Sequence, residues 1–137
     1  MKRLFIDTNI VIDLLSRRKD FYEEAATLFS LADKNNVHMS VSALTIANTH
    51  FILLKKLNTE KAKEILRNFR LLVDVLPLDE KIVDLALNDK NFTDFEDALQ
   101  YYSALQYGME IIITRNSKDF KKSELPVMTA LQYLKST

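Results

Sequence analysis

Three carboxylates stand within four residues in the turn Asp94-Phe95-Glu96-Asp97, directly before an apolar pattern of helical spacing. Helix capping uses part of this charge, because Thr93 and Glu96 have capping-box spacing, and Asp94 and Asp97 nearly repeat it. Capping explains one or two acids, whereas two carboxylates ~5 Å apart repel by roughly 3 kcal/mol at an effective dielectric constant of about 20. A divalent cation would offset this repulsion, and hard oxygen ligands favour Mg²⁺ or Mn²⁺.

Two other polar turns follow short apolar segments of the kind that form buried strands. Asp7 follows residues 4–6, and Asn116 follows residues 111–114. Ligands of open parallel sheets bind at the carboxyl ends of the strands. We therefore expect Asp7, Asp97 and Asn116 to meet at one rim. The alternative for each residue taken alone is a cap or a turn former.

Basic residues flank these acidic turns. They are Arg17, Arg18 and Lys19 after the first predicted helix, and Arg115, Lys118, Lys121 and Lys122 after the strand at 111–114. Acid at the centre and base at the rim suit a phosphodiester that is held by its backbone and cleaved at a metal. The alternative is a set of solvated surface side chains, which we favour for Lys121 and Lys122.

Composition excludes several other classes of protein. The 19 basic and 19 acidic residues give no net charge, so nucleic acid would have to be bound by local patches. The chain has no cysteine, which excludes disulfides and thiolate chemistry and suits a reducing cytoplasm. Its single glycine excludes the phosphate-cradling and dinucleotide-binding motifs. His38 and His50 are expected to be structural, and no signal peptide or membrane span is predicted.

Hydrophobic periodicity predicts strands that alternate with helices. The predicted strands are 3–6, 37–41, 71–76, 111–114 and a short edge strand at 126–128, and the predicted helices are 9–15, 22–34, 43–56, 60–70, 80–87, 95–107 and 130–134. Thr8, Ser42, Asp79 and Thr129 are the expected caps, and Gly108 is expected to end the sixth helix. Alternation of this kind predicts one domain, residues 1–137, with a three-layer α/β/α fold and a mostly parallel four- or five-stranded sheet.

The helices at 43–57 and 60–70 carry more apolar surface than one small sheet is expected to cover. Residues 51–54 are four consecutive apolar side chains, which on a helix point outward as well as inward. Apolar patches of that size usually mark an interface, and symmetric dimers are the commonest result. We therefore expect a homodimer; burial of both helices within one monomer is the alternative.

Three segments together resemble the PIN domain family. They are Leu4-Phe5-Ile6-Asp7-Thr8-Asn9-Ile10-Val11-Ile12-Asp13, Asp97-Ala98-Leu99, and Ile113-Thr114-Arg115-Asn116 followed by Asp119-Phe120. The resemblance extends over nearly the whole chain and is greatest to the bacterial VapC-like branch, the toxin half of toxin–antitoxin pairs. It implies a parallel sheet, an acidic cluster that binds Mg²⁺ or Mn²⁺, cleavage of RNA, pairing of two copies and an antitoxin partner.

The resemblance also implies which residues form the site. The first family acid falls on Asp7 and the third on Asp97, whereas the second and fourth fall on Asn48 and Asn116. An amide oxygen ligates a metal without adding charge. The missing charge is expected to come from acids nearby in the sequence, namely Glu96, Asp94 or Asp119.

The leading hypothesis is therefore a metal-dependent endoribonuclease in which Asp7 and Asp97 hold the metal. Asn48 and Asn116 complete the site, with Glu96 and Asp119 as further ligands and Arg17, Arg18, Arg115 and Lys118 as RNA contacts. A catalytically weak PIN fold that binds RNA or protein is the rival hypothesis. Phosphoryl transfer through Asp7 is disfavoured, because the haloacid-dehalogenase pattern needs an Asp where Asn9 stands, and the phosphorylated Asp of a receiver domain lies on a middle strand.

Overall fold

A single parallel sheet of five strands forms the centre of the protein, and the computed structural model describes all 137 residues. In chain order the strands are β1 (Lys2–Ile6), β2 (Val37–Ser42), β3 (Asp74–Leu76), β4 (Ile111–Ile113) and β5 (Val127–Met128). They lie in the order β3-β2-β1-β4-β5, and every neighbouring pair is parallel. The predicted α/β class is confirmed, with five strands. The strand order reverses between β1 and β4, which is where ligands bind in open parallel sheets.

Seven α-helices cover the two faces of the sheet. They are α1 (Thr8–Leu15), α2 (Tyr22–Asp33), α3 (Ala43–Leu53), α4 (Thr59–Phe69), α5 (Glu80–Asn88), α6 (Phe95–Gln106) and α7 (Ala130–Ser136), with a short 3₁₀ helix at Ser117–Phe120. None of these helices combines the length and apolarity that a bilayer crossing requires.

Alternation along β1 sends its side chains to opposite faces of the sheet. Leu4 and Ile6 pack in the larger apolar cluster with residues of α1, α2 and α7. Phe5 packs in a second cluster with Tyr101 and Ala104 of α6. All three β1 side chains are fully buried, so this strand lies at the centre of three layers.

Most of the predicted helix boundaries are confirmed by side-chain caps. Ser42, Asp79 and Thr129 each accept a hydrogen bond from the backbone N–H three residues on. Gly108 follows α6 with φ +70°, a left-handed conformation that glycine adopts without steric cost. Thr8 is not a cap. Asp7 takes that position and accepts a hydrogen bond from Thr8 N, so the predicted cap at Thr8 is wrong by one residue.

Two elements are shorter than predicted because hydrogen-bonded turns replace their ends. The helix predicted to reach residue 56 ends at Leu53, where Lys55 N and Lys56 N donate to carbonyls three residues back. The strand predicted from residue 71 begins only at Asp74, because turns continue past the end of α4. Phe95, the first residue of α6, is 43% exposed, because the buried stripe of α6 begins only at Ala98.

The polar side of α3, unexpectedly, faces the interior. Thr45 and Thr49 are fully buried, whereas Phe51 is 67% exposed. Thr45 Oγ1 has polar partners inside the protein, since it lies 2.8 Å from Thr8 Oγ1 and accepts a hydrogen bond from a buried glutamine. A buried hydroxyl is tolerated when it is hydrogen-bonded, and this network leaves part of the apolar side of α3 to solvent.

Candidate active site

Asp7 ends β1 and is held by three hydrogen bonds. Its Oδ1 accepts from Thr8 N at 2.9 Å and from Gln100 Nε2 at 3.1 Å, and its Oδ2 accepts from Thr114 Oγ1 at 2.8 Å. The backbone N–H of Asp7 donates to Ile113 O at 2.9 Å. The residue is only 8% exposed, and burial raises the pKa of its carboxyl above the ordinary value, against the lowering effect of these hydrogen bonds. Three bonds occupy most of the roughly four acceptor positions of a carboxylate.

Asp97 lies in the first turn of α6, where Asp94 caps the helix by accepting from Asp97 N at 3.0 Å. Burial is the largest cause that raises the pKa of Asp97 to about 7, followed by repulsion from Asp94, Asp7, Asp119 and Glu96. Asp119 also raises the pKa of Asp7 by repulsion. The structure thus brings acids from the three sequence-distant turns into one electrostatic neighbourhood.

Lysines stand beside these acids around a cleft of about 760 Å³, which we call the acidic cleft. Its lining residues are Asn91, Phe92, Thr93, Asp94, Asp97, Lys118, Asp119, Lys121 and Lys122. Lys118 is therefore at the rim where the sequence places it. Lys121 and Lys122, expected to be ordinary surface residues, also line this cleft.

The two asparagines at family acid positions occupy different surroundings. Asn48 Nδ2 donates to Glu96 Oε1 at 2.9 Å, which links α3 to the acidic turn. The backbone N–H of Asn116 donates to Thr114 Oγ1 at 3.1 Å, but the exposed side chain lines a smaller hollow beside Asp13 and Arg115 instead of the acidic cleft. Of the two amides, only Asn48 directly contacts one of the clustered acids.

The predicted arginines are not equivalent in the structure. Arg115 Nε donates to the fully buried carboxylate of Asp13 at 2.8 Å, and its guanidinium lies 4.1 Å from the centre of the Phe21 ring. Arg18 approaches the same carboxylate at 3.8 Å. Burial raises the pKa of Asp13, and the hydrogen bond and charge of Arg115 oppose that rise. Arg115 thus anchors the segment after β4 to α1, while Arg17 and Arg18 lie beyond the far end of α1.

Gln100 was absent from the predicted site, yet it holds Asp7 in place. It is 2% exposed, and besides its bond to Asp7 its Nε2 donates to Thr45 Oγ1 at 2.9 Å, while its Oε1 accepts from Ser42 Oγ. The only signal in the sequence was one amide within the buried stripe of α6, three residues after Asp97. A buried amide of this kind needs partners, but the sequence does not say which ones.

The donor set fits a metal that retains water ligands. No group of three or more acidic or histidine side chains is close enough to form a ready-made coordination shell. Mg²⁺ commonly uses one or two carboxylates and keeps several waters, so Asp7 and Asp97 suffice as protein ligands. The mutual repulsion of the clustered acids is the feature of this site that a cation would relieve.

Replacing Asp97 by Asn is expected to stabilise the metal-free protein at high pH. A carboxyl group whose pKa is raised in the folded protein binds more protons in the folded state than in the unfolded state. Its contribution to the free energy of unfolding is therefore lost as pH rises from about 4 through about 7. At pH 8 in EDTA, Asp97→Asn should raise the melting temperature by about 4 °C, on the order of 1 kcal/mol after allowance for solvent screening. At pH 4 the two proteins should have the same melting temperature. A difference in melting temperature that is the same at pH 4 and pH 8 would contradict this account.

Replacing Gln100 by Leu is expected to lower the free energy of unfolding by about 2–4 kcal/mol, because Asp7, Ser42 and Thr45 each lose a buried partner. Gln106→Leu is the matched control on the same helix, since Gln106 is half-buried and donates only to Asp79. That control should cost about 1 kcal/mol or less. Urea denaturation measures both, and equal losses would show that Gln100 has no special role.

Several known proteins resemble this chain in sequence or in fold. Ribonuclease VapC1 of Aquifex aeolicus (strain VF5) is 28% identical over 138 residues, covering 96% of this chain and 93% of that protein. A toxin-antitoxin complex from Klebsiella pneumoniae contains a chain of similar fold, with TM-score 0.68 and 23% identity over 93% of this chain and 97% of the other. VapC20 of Mycobacterium tuberculosis, a Sarcin-Ricin loop cleaving toxin, gives TM-score 0.63 and 17% identity, covering 80% of this chain and 86% of the other.

The family model for the PIN domain matches residues 3–118, which is most of the chain and includes Asp7, Asp97 and the turn after β4. On that match, this protein belongs to the PIN domain family.

Proposed function

We propose that this PIN domain is a Mg²⁺- or Mn²⁺-dependent endoribonuclease. The observation that carries the proposal is the concentration of like charge around Asp97, whose pKa is raised to about 7 by burial and by repulsion from Asp94, Asp7, Asp119 and Glu96. A carboxyl group perturbed in this way beside a cleft is a candidate for a functional site. The curated relative named as a ribonuclease, similar along nearly its full length, supports RNA as the substrate.

Asp7 and Asp97 would hold the metal, with Asp119 and Glu96 as further or water-mediated ligands and Asn48 as a neutral ligand. Asn116, predicted from the sequence to complete the site, is left out because its side chain lines the smaller hollow. Asn48 contributes through its contact with Glu96, because an amide N–H attracts the carboxylate that an acid at position 48 would repel. This arrangement offers a physical route by which the acidic turn replaces the charge missing at position 48.

The residues of the chain position the reacting phosphate. Asp7 and Asp97 would hold a divalent cation there, which would supply an activated water at neutral pH and polarise the phosphoryl oxygen. Lys118, Lys121 and Lys122 stand around the acidic cleft, where their charges hold phosphate groups. Gln100 and Thr114 fix the rotamer of Asp7, so that its remaining acceptor position keeps one direction.

We also propose that the protein is the toxin of a toxin–antitoxin pair and acts in the cytoplasm. The similar fold in a toxin-antitoxin complex from Klebsiella pneumoniae and in an RNA-cleaving toxin supports an antitoxin protein as partner. A weakly catalytic module that binds RNA or protein is the second candidate, favoured by the two amides at family acid positions. Calorimetric titration separates the two, since an active site must bind Mn²⁺ at or below millimolar concentration.

The nuclease proposal predicts that RNA cleavage requires both central acids. With Mn²⁺ or Mg²⁺, Asp7→Asn and Asp97→Asn should each lower cleavage roughly 100-fold or more, because each removes a metal ligand. Asp33→Asn, on the exposed end of α2, is the matched control and should leave the rate unchanged. Denaturing gel analysis of a labelled RNA measures the rate, with EDTA as the metal-free condition. Cleavage that persists in both site variants would rule out this active site.

We further propose a homodimer that uses the outer side of α3. Phe51 is 67% exposed and Leu54 is also exposed. The apolar side of α4, in contrast, is internal, since Ala62, Leu66 and Phe69 are buried within the monomer. The sequence-based expectation for α4 is therefore wrong, and α3 alone carries the exposed patch.

The dimer proposal predicts that Phe51→Lys yields a monomer, because a desolvated charge at an apolar interface has no partner. Leu87→Lys is the control, since Leu87 is similarly exposed on α5, outside the proposed patch. Light scattering at micromolar concentration should give twice the 15.9 kDa chain mass for the native protein and for the control. A native mass equal to one chain, unchanged on tenfold concentration, would remove the dimer.

A further inference from the structure

A second charged surface lies away from the acidic cleft. The turn between α1 and α2 and the turn after α3 enclose a hollow of about 560 Å³, which we call the basic hollow. Five cationic side chains line it, and no acidic side chain does: Arg17, Arg18, Lys19, Lys55 and Lys56. In a chain with no net charge, such a concentration of one sign is a local property of the fold.

Four of these five cations have no ion-pair partner. Only Arg18 lies within 4 Å of a carboxylate, that of Asp13 at 3.8 Å, and its side chain is still partly exposed. The other four have no carboxylate within that distance. Their arrangement therefore favours a ligand that carries several negative charges.

Backbone hydrogen bonds close both turns. Arg18 N donates to Asp13 O at 3.1 Å in the first turn, and Lys56 N donates to Leu53 O at 3.2 Å in the second. Arg17 has φ 50°, a left-handed conformation unfavourable for a residue with a side chain, and its guanidinium lies 5.6 Å from the centre of the Tyr22 ring. The backbone of these turns therefore needs no rearrangement to present the cations to a ligand, which favours affinity.

The other lining side chains indicate how the ligand is recognised. Leu15, Ile52 and Leu57 are aliphatic, and no aromatic ring lines the hollow. Base-specific or stacking recognition relies on aromatic rings and on hydrogen bonds to base edges. The hollow therefore suits a charged backbone, without a preference for particular bases.

We propose that the basic hollow binds the phosphodiester backbone of single-stranded RNA, as a second contact site separate from the acidic cleft. The inference rests on the proposed ribonuclease function for its choice of polyanion. Asp7 caps one end of α1 and the hollow lies beyond the other end, about 12 Å away for an eight-residue helix. An RNA chain cut at the acidic cleft would be held along α1 by this second contact.

The test is the affinity for a fluorescein-labelled 20-nucleotide single-stranded RNA, measured by anisotropy in EDTA so that no cleavage occurs. Each phosphate contact on a single strand contributes about 0.7 to the slope of log K against log salt concentration. The double variant Lys55→Ala/Lys56→Ala should therefore reduce that slope by about 1.4. At 0.1 M salt, this loss corresponds to binding that is roughly 25-fold weaker. Lys34→Ala/Lys135→Ala removes the same charge from two exposed positions, one directly after α2 and one on α7, and should change affinity little.

Several results would overturn the proposal. Equal losses in the two double variants would show a general charge effect. Displacement of the RNA by millimolar inorganic phosphate would indicate a site for one anion, and equal displacement by polyglutamate would indicate an acidic protein partner. A changed mass of Lys55→Ala/Lys56→Ala in light scattering would place these lysines in the dimer interface.

Failure of the nuclease proposal gives a different result. A native protein that binds the RNA through Lys55 and Lys56 but cleaves nothing with Mn²⁺ or Mg²⁺ would support the basic hollow and refute the ribonuclease. If cleavage requires Asp7 but Lys55→Ala/Lys56→Ala binds the RNA as tightly as the native protein, only the proposal for the basic hollow is refuted.

Discussion

The hydrogen-bonded, buried carboxylate of Asp7 constrains how the elements at the centre of the sheet pack. It ends the central strand, caps α1, accepts from Thr114 after β4 and accepts from Gln100 on α6. Four elements from both halves of the sheet therefore meet at one side chain, where the strand order reverses. A charge buried to this degree is tolerated only when it is hydrogen-bonded, so the surrounding polar network is a condition of the fold as well as of the site.

That requirement accounts for several of the polar side chains inside the protein. Ser42, Thr45 and Thr114 are fully buried, and each belongs to the hydrogen-bond network of Asp7 or Gln100. Their burial turns the threonine side of α3 inward. An apolar residue, Phe51, is then left on the outside of the same helix. A constraint at the site thus determines which surface is available for association.

A second buried carboxylate, that of Asp13, differs from Asp7 because a cationic side chain pairs with it. The guanidinium of Arg115 neutralises it directly, and the pair fixes α1 against the turn after β4. Asp7 and Asp97 have no such cationic partner within ion-pair distance. The protein therefore compensates the charge of one buried acid with its own side chains and leaves the charge of the central acids available to a ligand, which costs stability at neutral pH.

Sequence pattern was enough to predict the alternation of strands and helices, the parallel sheet and most of the helix caps. These features follow from local periodicity and from residues such as Ser42 and Gly108, whose effect is confined to neighbouring peptide groups. It also indicated that the acidic turns meet, because parallel strands end at one edge. Only the packing of distant elements established that Gln100 holds Asp7 and that Arg115 pairs with Asp13. The partners in these two pairs lie 93 and 102 residues apart, and side-chain hydrogen bonds over such separations depend on how helices pack, which local sequence pattern does not encode.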